Sequence, residues 1–303
     1  MRRPVLLTMA AVMAMIASGC SQAAPSPGPQ IVVTTNILGD VTRQVLGDQA
    51  TVTTLMPPEA DPHSFEISAQ EAALMGDADL LVSNGLGLEE GLQQHLDRAA
   101  AAGVPMLAAG EVIDAVPYNS GDAEGAPDPH FWTDPAAMLS VVNAVEAAAS
   151  KIDGVDAGKL ATSAAAYRAQ LAELDAEMTT AFAALPADRR ALVTNHHVFG
   201  YLAKRFDFQV IGAVIPGGTT LAAPSAADLR QLSEAISSAG VPTIFAESSQ
   251  PDRLVQVLAS EAGIDVEVRE LFTESLSRPD GEAPTYVDMM RTNTQRIVQG
   301  LSP

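Results

Sequence analysis

Beyond residue 29 the chain alternates short β-branched runs with longer stretches whose apolar residues recur at helical spacing, the pattern of parallel α/β units. Runs at 31–35, 51–55, 80–83 and 105–108 predict strands in the first half, and runs at 192–194, 208–215, 243–247 and 266–271 predict strands in the second. Helix punctuation lies between them: Ser68 with Glu71 has the form of a capping box, Ser225 with Asp228 is a weaker version, and Gly47 and Gly240 stand where helices should stop. Residues 155–185 hold no proline inside the helical pattern, and Leu160, Ala164, Tyr167, Leu171, Leu174 and Met178 share one helical face. One helix there would be on the order of 45 Å long, enough to run the length of two lobes as a stiff connector. The predicted fold is α/β: two lobes, each a four-stranded mostly parallel sheet flanked by helices, joined by one long rigid helix. No sequence repeat relates the halves, so any symmetry between them is architectural.

Composition narrows the function. With 37 acidic and 17 basic side chains in 303 residues, the formal net charge is −20, which disfavours nucleic acid and anionic lipid surfaces and favours cations. Aromatics at 4% are too few for base-stacking platforms. One cysteine closes no internal disulfide and builds no zinc finger. Its position is informative: Arg2 and Arg3 precede an apolar run at 5–16, shorter than the ~20 residues that span a bilayer, and Ala17-Ser18-Gly19 leads into Cys20. This is the layout of a secretory signal peptide over 1–19. Ala17-Ser18-Gly19-Cys20 resembles the lipobox of bacterial lipoproteins, which implies acylation of Cys20 and a Pro-rich, lipid-anchored linker at 20–29.

Five histidines are few enough for their placement to matter. The tripeptide Asp-Pro-His occurs twice, as Asp61-Pro62-His63 after the second strand and Asp128-Pro129-His130 before a helix, so proline stiffens the loop that presents each imidazole. His196 and His197 follow the strand at 192–194. In open α/β sheets ligands bind beyond the carboxyl ends of strands, which points these histidines from both lobes toward one metal site. His95, on a polar helix, is expected in solvent, and Asp288, Arg291 and Asn293 are expected on an exposed face of the last helix. The glycine clusters Asn84-Gly85-Leu86-Gly87 and Pro216-Gly217-Gly218 lack dinucleotide or P-loop spacing and predict turns.

The ordered series Val33-Thr34-Thr35-Asn36, Pro57 to His63, Asn84 to Glu89, Asp128 to Trp132, His196 to Tyr201 and Leu271 to Ser275 resembles the cluster A-I (zinc and manganese) solute-binding proteins of bacterial ABC importers, across nearly the whole chain. The resemblance implies two α/β lobes, here 30–152 and 187–303, joined by a long helix at 153–186. Carried over by position, it implies metal ligands at His63, His130, His196 rather than His197, and the acid after the last strand, where Glu274 replaces the usual Asp. Glu247, also ending a strand, is the competing acid or a residue behind the ligands. Three imidazoles and a carboxylate fill a tetrahedral site and favour zinc, whereas manganese-type members carry an acid at the third histidine. A filled site favours binding over catalysis, and no His-Glu-x-x-His helix, serine elbow or nucleophilic cysteine is present. The expectation is a monomeric, non-enzymatic, lipid-anchored extracytoplasmic receptor that hands Zn2+ to an ABC permease and its ATPase. A manganese or iron receptor of the same family, a surface adhesin and a secreted metallohydrolase are the alternatives.

Overall fold

In the computed structural model the described residues are 28–118, 123–215, 217–249 and 266–302, with 255, 256 and 260. The expected signal peptide, Cys20, most of the linker and Pro216 lie outside them.

The first sheet is built from β1 (Gln30–Val33), β2 (Thr51–Thr54), β3 (Leu80–Ser83) and β4 (Met106–Ala108), in the order β2-β1-β3-β4. The second is built from β5 (Ala191–Thr194), β6 (Gln209–Ala213), β7 (Thr243–Glu247) and β8 (Glu267–Leu271), in the order β6-β5-β7-β8. Every pairing is parallel, so each connection must cross over the sheet, and helices make the crossings from β1 to β4 and from β5 to β7. The same strand order in both halves is a repetition of architecture without a repetition of sequence. A register shift between Leu192 and Val193 marks a bulge in the β5–β6 pair.

Helices begin and end where local chemistry dictates. Helix α1 (Asn36–Leu46) starts at Thr35, whose hydroxyl accepts from the Leu38 N–H, and stops at Gly47, which adopts φ +59°. Both anticipated capping boxes form, on α2 (Ala69–Gly76) from Ser68 and Glu71 and on α7 (Ala226–Ala239) from Ser225 and Asp228. Also described are α3 (Gln93–Ala101), α4 (Pro135–Ala149), α5 (Ala157–Ala183), α6 (Gly200–Phe206) and α8 (Tyr286–Leu301).

Helix α5 is the connector. Its 27 residues span about 40 Å. Leu160, Ala164, Tyr167, Leu171, Leu174, Met178 and Phe182 are all buried along one face, against α1 and α4 of the first lobe and α6 and α8 of the second. One apolar core therefore runs continuously from Ile31 to Leu301 along this helix, with smaller cores on the far side of each sheet around Leu81 and around Ile236. Among the described residues no helix is long and apolar enough to cross a membrane.

Two expectations are corrected. Asn293 is 3% exposed, not on an outer face. Its Oδ1 accepts from the Phe272 N–H at 2.9 Å and its Nδ2 donates to the Phe272 carbonyl at 2.7 Å, satisfying backbone groups that lose their ladder partners as the chain leaves β8. On the same helix Arg291 reaches Glu177 of α5 at 2.7 Å. His95 is half-buried on α3 rather than solvated.

Candidate metal centre

The repeated Asp-Pro-His tripeptide has one local cause. In each copy the aspartate Oδ1 accepts the backbone N–H of the histidine two residues on, at 2.9 Å for Asp61 and His63 and at 2.9 Å for Asp128 and His130. This is an Asx turn, with proline fixing φ between acceptor and donor. Asp128 Oδ1 also accepts from His130 Nδ1 at 2.7 Å, which orients the ring and turns Nε2 inward. His196 follows β5, its carbonyl accepting from the Thr194 hydroxyl at 2.7 Å. Its Nδ1 lies 3.1 Å from Glu247 Oε2, within ion-pair reach but outside hydrogen-bond alignment.

Glu274, in the loop after β8, supplies the convergence point. Its Oε1 is 2.9 Å from His63 Nε2, 3.1 Å from His130 Nε2 and 3.1 Å from His196 Nε2, while His63 and His130 Nε2 are 3.4 Å apart. A tetrahedral zinc with bonds of about 2.0–2.1 Å has ligand-to-ligand edges of about 3.3–3.4 Å, so these four atoms stand close to the spacing of one coordination shell. The four residues are 0–2% exposed. His197 is half-buried, with its pKa lowered by burial, and stands outside the four-residue group.

Electrostatics explain how so much charge stays buried. Burial alone would lower the His196 pKa, but Glu274 and Glu247 outweigh it and hold the imidazole well above its usual value. Burial likewise opposes protonation of His130, and Asp128 and Glu274 raise it. Burial would raise the Glu274 carboxyl; His196 and the hydrogen bonds from the three rings bring it well below the usual range. Burial and the Glu274 charge push Glu247 up to about 7. Without metal these carboxylates favour the protonated forms of His130 and His196.

Several contributors carry little sequence signal. Glu89 is buried, and its carboxylate accepts from the Thr34 hydroxyl at 2.6 Å and from the Asn84 and Gly85 N–H groups at 2.6 and 3.2 Å. It fixes a turn in which Gly85, Leu86 and Gly87 all have positive φ, and from that turn Asn84 Nδ2 donates to the Pro129 carbonyl at 3.0 Å, bracing the His130 loop. The glycines announced the turn, but nothing in the sequence said what it braces. Across the lobes, Trp132 Nε1 donates to the Thr273 carbonyl at 2.7 Å, and the Asn36 side chain pairs with Ser275 Oγ at 2.7 Å and the Leu276 N–H at 3.0 Å. These contacts hold the Glu274 loop against the first lobe.

Comparison with known proteins agrees with this architecture. The family model described as "ZnuA: Zinc-uptake complex component A periplasmic" matches residues 31–300. The zinc-binding protein TroA of Treponema pallidum is 31% identical over 290 residues, covering 94% of this chain and 93% of that protein. The manganese-binding lipoprotein MntA of Halalkalibacterium halodurans is 26% identical over 296 residues, covering 96% of each. The solved structure of the Treponema pallidum periplasmic zinc-binding protein superposes with a TM-score of 0.84 at 30% identity, covering 91% of this chain and all of that one. Two parallel four-stranded lobes, one buried three-histidine carboxylate cluster and a match over almost the whole described length place this chain in the ZnuA family of metal-binding receptors of ABC importers, which are substrate-binding proteins and not enzymes.

Proposed function

We propose that the protein is an extracytoplasmic zinc receptor whose cargo ion is held by His63, His130, His196 and Glu274, with Glu247 and Asp128 supporting the rings from behind. The observation that carries this reading is the convergence of three imidazole Nε2 atoms and one carboxylate oxygen at 2.9–3.4 Å. Three nitrogens and one oxygen suit the borderline-soft zinc ion better than manganese, which favours oxygen. The relative named as zinc-binding is 31% identical, in keeping with this choice. One feature favours manganese as the second reading: Glu274 Oε2 is buried without a hydrogen-bond partner, so the carboxylate is free to add a second oxygen, and several relatives are named as manganese-binding. The anchor belongs to the same proposal: Cys20 carries the lipid after removal of 1–19, as in the relatives named lipoproteins, and the lobes at 30–152 and 187–303 stand on the membrane through the 20–29 linker.

Metal titration of the demetallated protein with elemental analysis tests the cargo. One Zn2+ per chain is expected, bound more tightly than Mn2+, and lost in His63→Ala or His196→Ala. Tighter Mn2+ binding would transfer the assignment to manganese, and parent-like zinc binding by both variants would refute the ligand set. Glu274→Gln should weaken zinc more than Glu247→Gln; the reverse order would exchange their roles.

A further inference from the structure

The four converging side chains are 0–2% exposed, so an ion reaches them only if part of the wall moves. Separating the lobes at the Glu274 loop would break a set of buried hydrogen bonds, from Asn36 to Ser275, from the Leu276 N–H to Asn36, from Trp132 to Thr273, and from Tyr286 to Trp132 and Asp40. A different wall stands beside His130. There a cleft of about 690 Å3 lies between residues 116–118 of the first lobe and α6 with β6 of the second, and Tyr118, Asp128 and His197 are among the residues that line it. His130 stands directly behind Tyr118: the ring centroids are 6.3 Å apart, and the phenol oxygen is 3.3 Å from Nδ1. The phenol donates to the Gly218 carbonyl of the second lobe at 3.2 Å. A Cβ on Gly218 would clash with the phenol, so the ring rests against a backbone that only glycine leaves open. On the side of the cleft the phenol, bonded to the Gly218 carbonyl across the lobes, covers the Nδ1 edge of the His130 ring. Behind it the Asp128 carboxylate and the His197 imidazole offer donors of the kinds that divalent ions accept as they shed water.

We propose that the ion enters and leaves through this cleft and that Tyr118 is its gate, the ring swinging off Gly218 to uncover His130 while Asp128 and His197 hand the ion inward. The proposal rests on the metal-receptor reading above. It assigns Tyr118 to the rate of exchange and the four ligands to the strength of binding. The competing path lies past the Thr220 hydroxyl, which donates to Asp61 Oδ2 at 2.6 Å and ties the second lobe to the His63 loop.

Stopped-flow Zn2+ binding, and Zn2+ release to a fluorescent chelator, test it on the full chain. In Tyr118→Ala both kon and koff should rise roughly tenfold together, the rates changing far more than their ratio. Tyr118→Phe, which loses only the hydroxyl, should show a smaller rise of roughly two- to tenfold. Gly218→Ala, which pushes the ring away from the other side, should also speed exchange and serves if Tyr118→Ala folds poorly. Charge gives an independent readout: Lys204, exposed in the cleft wall, when changed to Glu should raise kon at low salt, whereas Arg278→Glu, beside Glu59 outside the cleft, should not. Unchanged rates in the Tyr118 and Gly218 variants would overturn the gate, as would faster exchange in Thr220→Val alone. A rise in koff without kon would also overturn it, making Tyr118 a support for His130. Failure of the parent to bind Zn2+ at equilibrium would instead remove the metal reading itself.

Discussion

Proton release on metal binding follows from the way the site is wired. Glu274 Oε1 lies 2.9–3.1 Å from three Nε2 atoms, and each such contact is a hydrogen bond only if that nitrogen carries a proton. His130 and His196 each have a second carboxylate at Nδ1, Asp128 at 2.7 Å and Glu247 at 3.1 Å. Burial works against charging either ring, but the carboxylates on both edges outweigh it and raise both pKa values. A metal ion needs the bare lone pair on the same Nε2 atoms, so binding should expel a proton from each ring that its carboxylates hold charged. Each expelled proton weakens apparent affinity about tenfold per pH unit, about 1.4 kcal/mol. From pH 7.5 to pH 5.5 the apparent Kd for Zn2+ should therefore rise, by up to about 10²-fold for each proton the ion displaces across that range. Calorimetry in buffers of different ionisation enthalpy counts the protons directly. Stability of the metal-free protein should run the other way. The raised histidines stabilise it below the unfolded value of about 6.5 and lose that contribution as pH rises through their folded values. Glu247, raised to about 7, likewise favours the folded state as pH falls through that value, whereas the lowered Glu274 contributes above about 4.5 and loses its contribution on further acidification. The metal-free Tm should peak between about pH 4.5 and 6.5. A binding enthalpy independent of buffer at pH 6.5, or a metal-free Tm that climbs steadily from pH 5.5 to 8, would refute the reasoning.

Other consequences are testable on the same material. Asp128→Asn keeps the Asx turn but removes the charge behind His130, and should weaken Zn2+ binding roughly 10- to 100-fold by competition titration. Asn293→Leu strands the N–H and carbonyl of Phe272 in the interior and should cost about 2–4 kcal/mol in denaturant unfolding. Leu171→Ala, at a fully buried position of α5, should cost about 2–5 kcal/mol. Because the core is continuous along α5, calorimetry of that variant should still show one transition shared by both lobes; two separated transitions would show that the helix does not couple them. Zn2+ at roughly a thousand times Kd should stabilise the parent by about 4 kcal/mol, and the His196→Ala variant should show almost none of this.

The fold was legible because its signals are local. Strand positions came from β-branched runs, the caps at Ser68, Ser225, Gly47 and Gly240 came from backbone chemistry within four residues, and the connector came from an apolar face uninterrupted by proline. The histidine loops were legible for the same reason, since an Asx turn is written in three consecutive residues. Long-range placement was not. Asn293 looks like an exposed polar residue until β8 ends beside it, at a distance of 21 residues in sequence. Glu89, Tyr118 and Gly218 each act through residues of another loop, and no periodicity or spacing announces such contacts. Glu274 and Glu247 both follow strands, and the sequence alone offered the two as rivals. The geometry gives them different neighbours, Glu274 facing three Nε2 atoms and Glu247 facing the Nδ1 of His196 and the Ser249 hydroxyl.

The distribution of interlobe contacts bears on how a receptor of this kind can release a tightly held ion. Glu274 comes from the second lobe and two of its three imidazole partners from the first, so the cluster is itself a lobe-to-lobe bond. Around it, Asn36, Trp132 and Tyr286 add buried hydrogen bonds that do not depend on metal, and the core along α5 is shared. Each buried bond is worth about 0.5–1.5 kcal/mol net and more if its partner is left stranded, so breaking the set together costs several kcal/mol before any ligand is freed. Moving the Tyr118 ring breaks its hydrogen bonds to the Gly218 carbonyl and to His130 Nδ1, and a cleft already stands in front of it. The less costly opening is the local one, and a partner that pulls on the second lobe near Gly218 would reach it without dismantling the interface that positions Glu274.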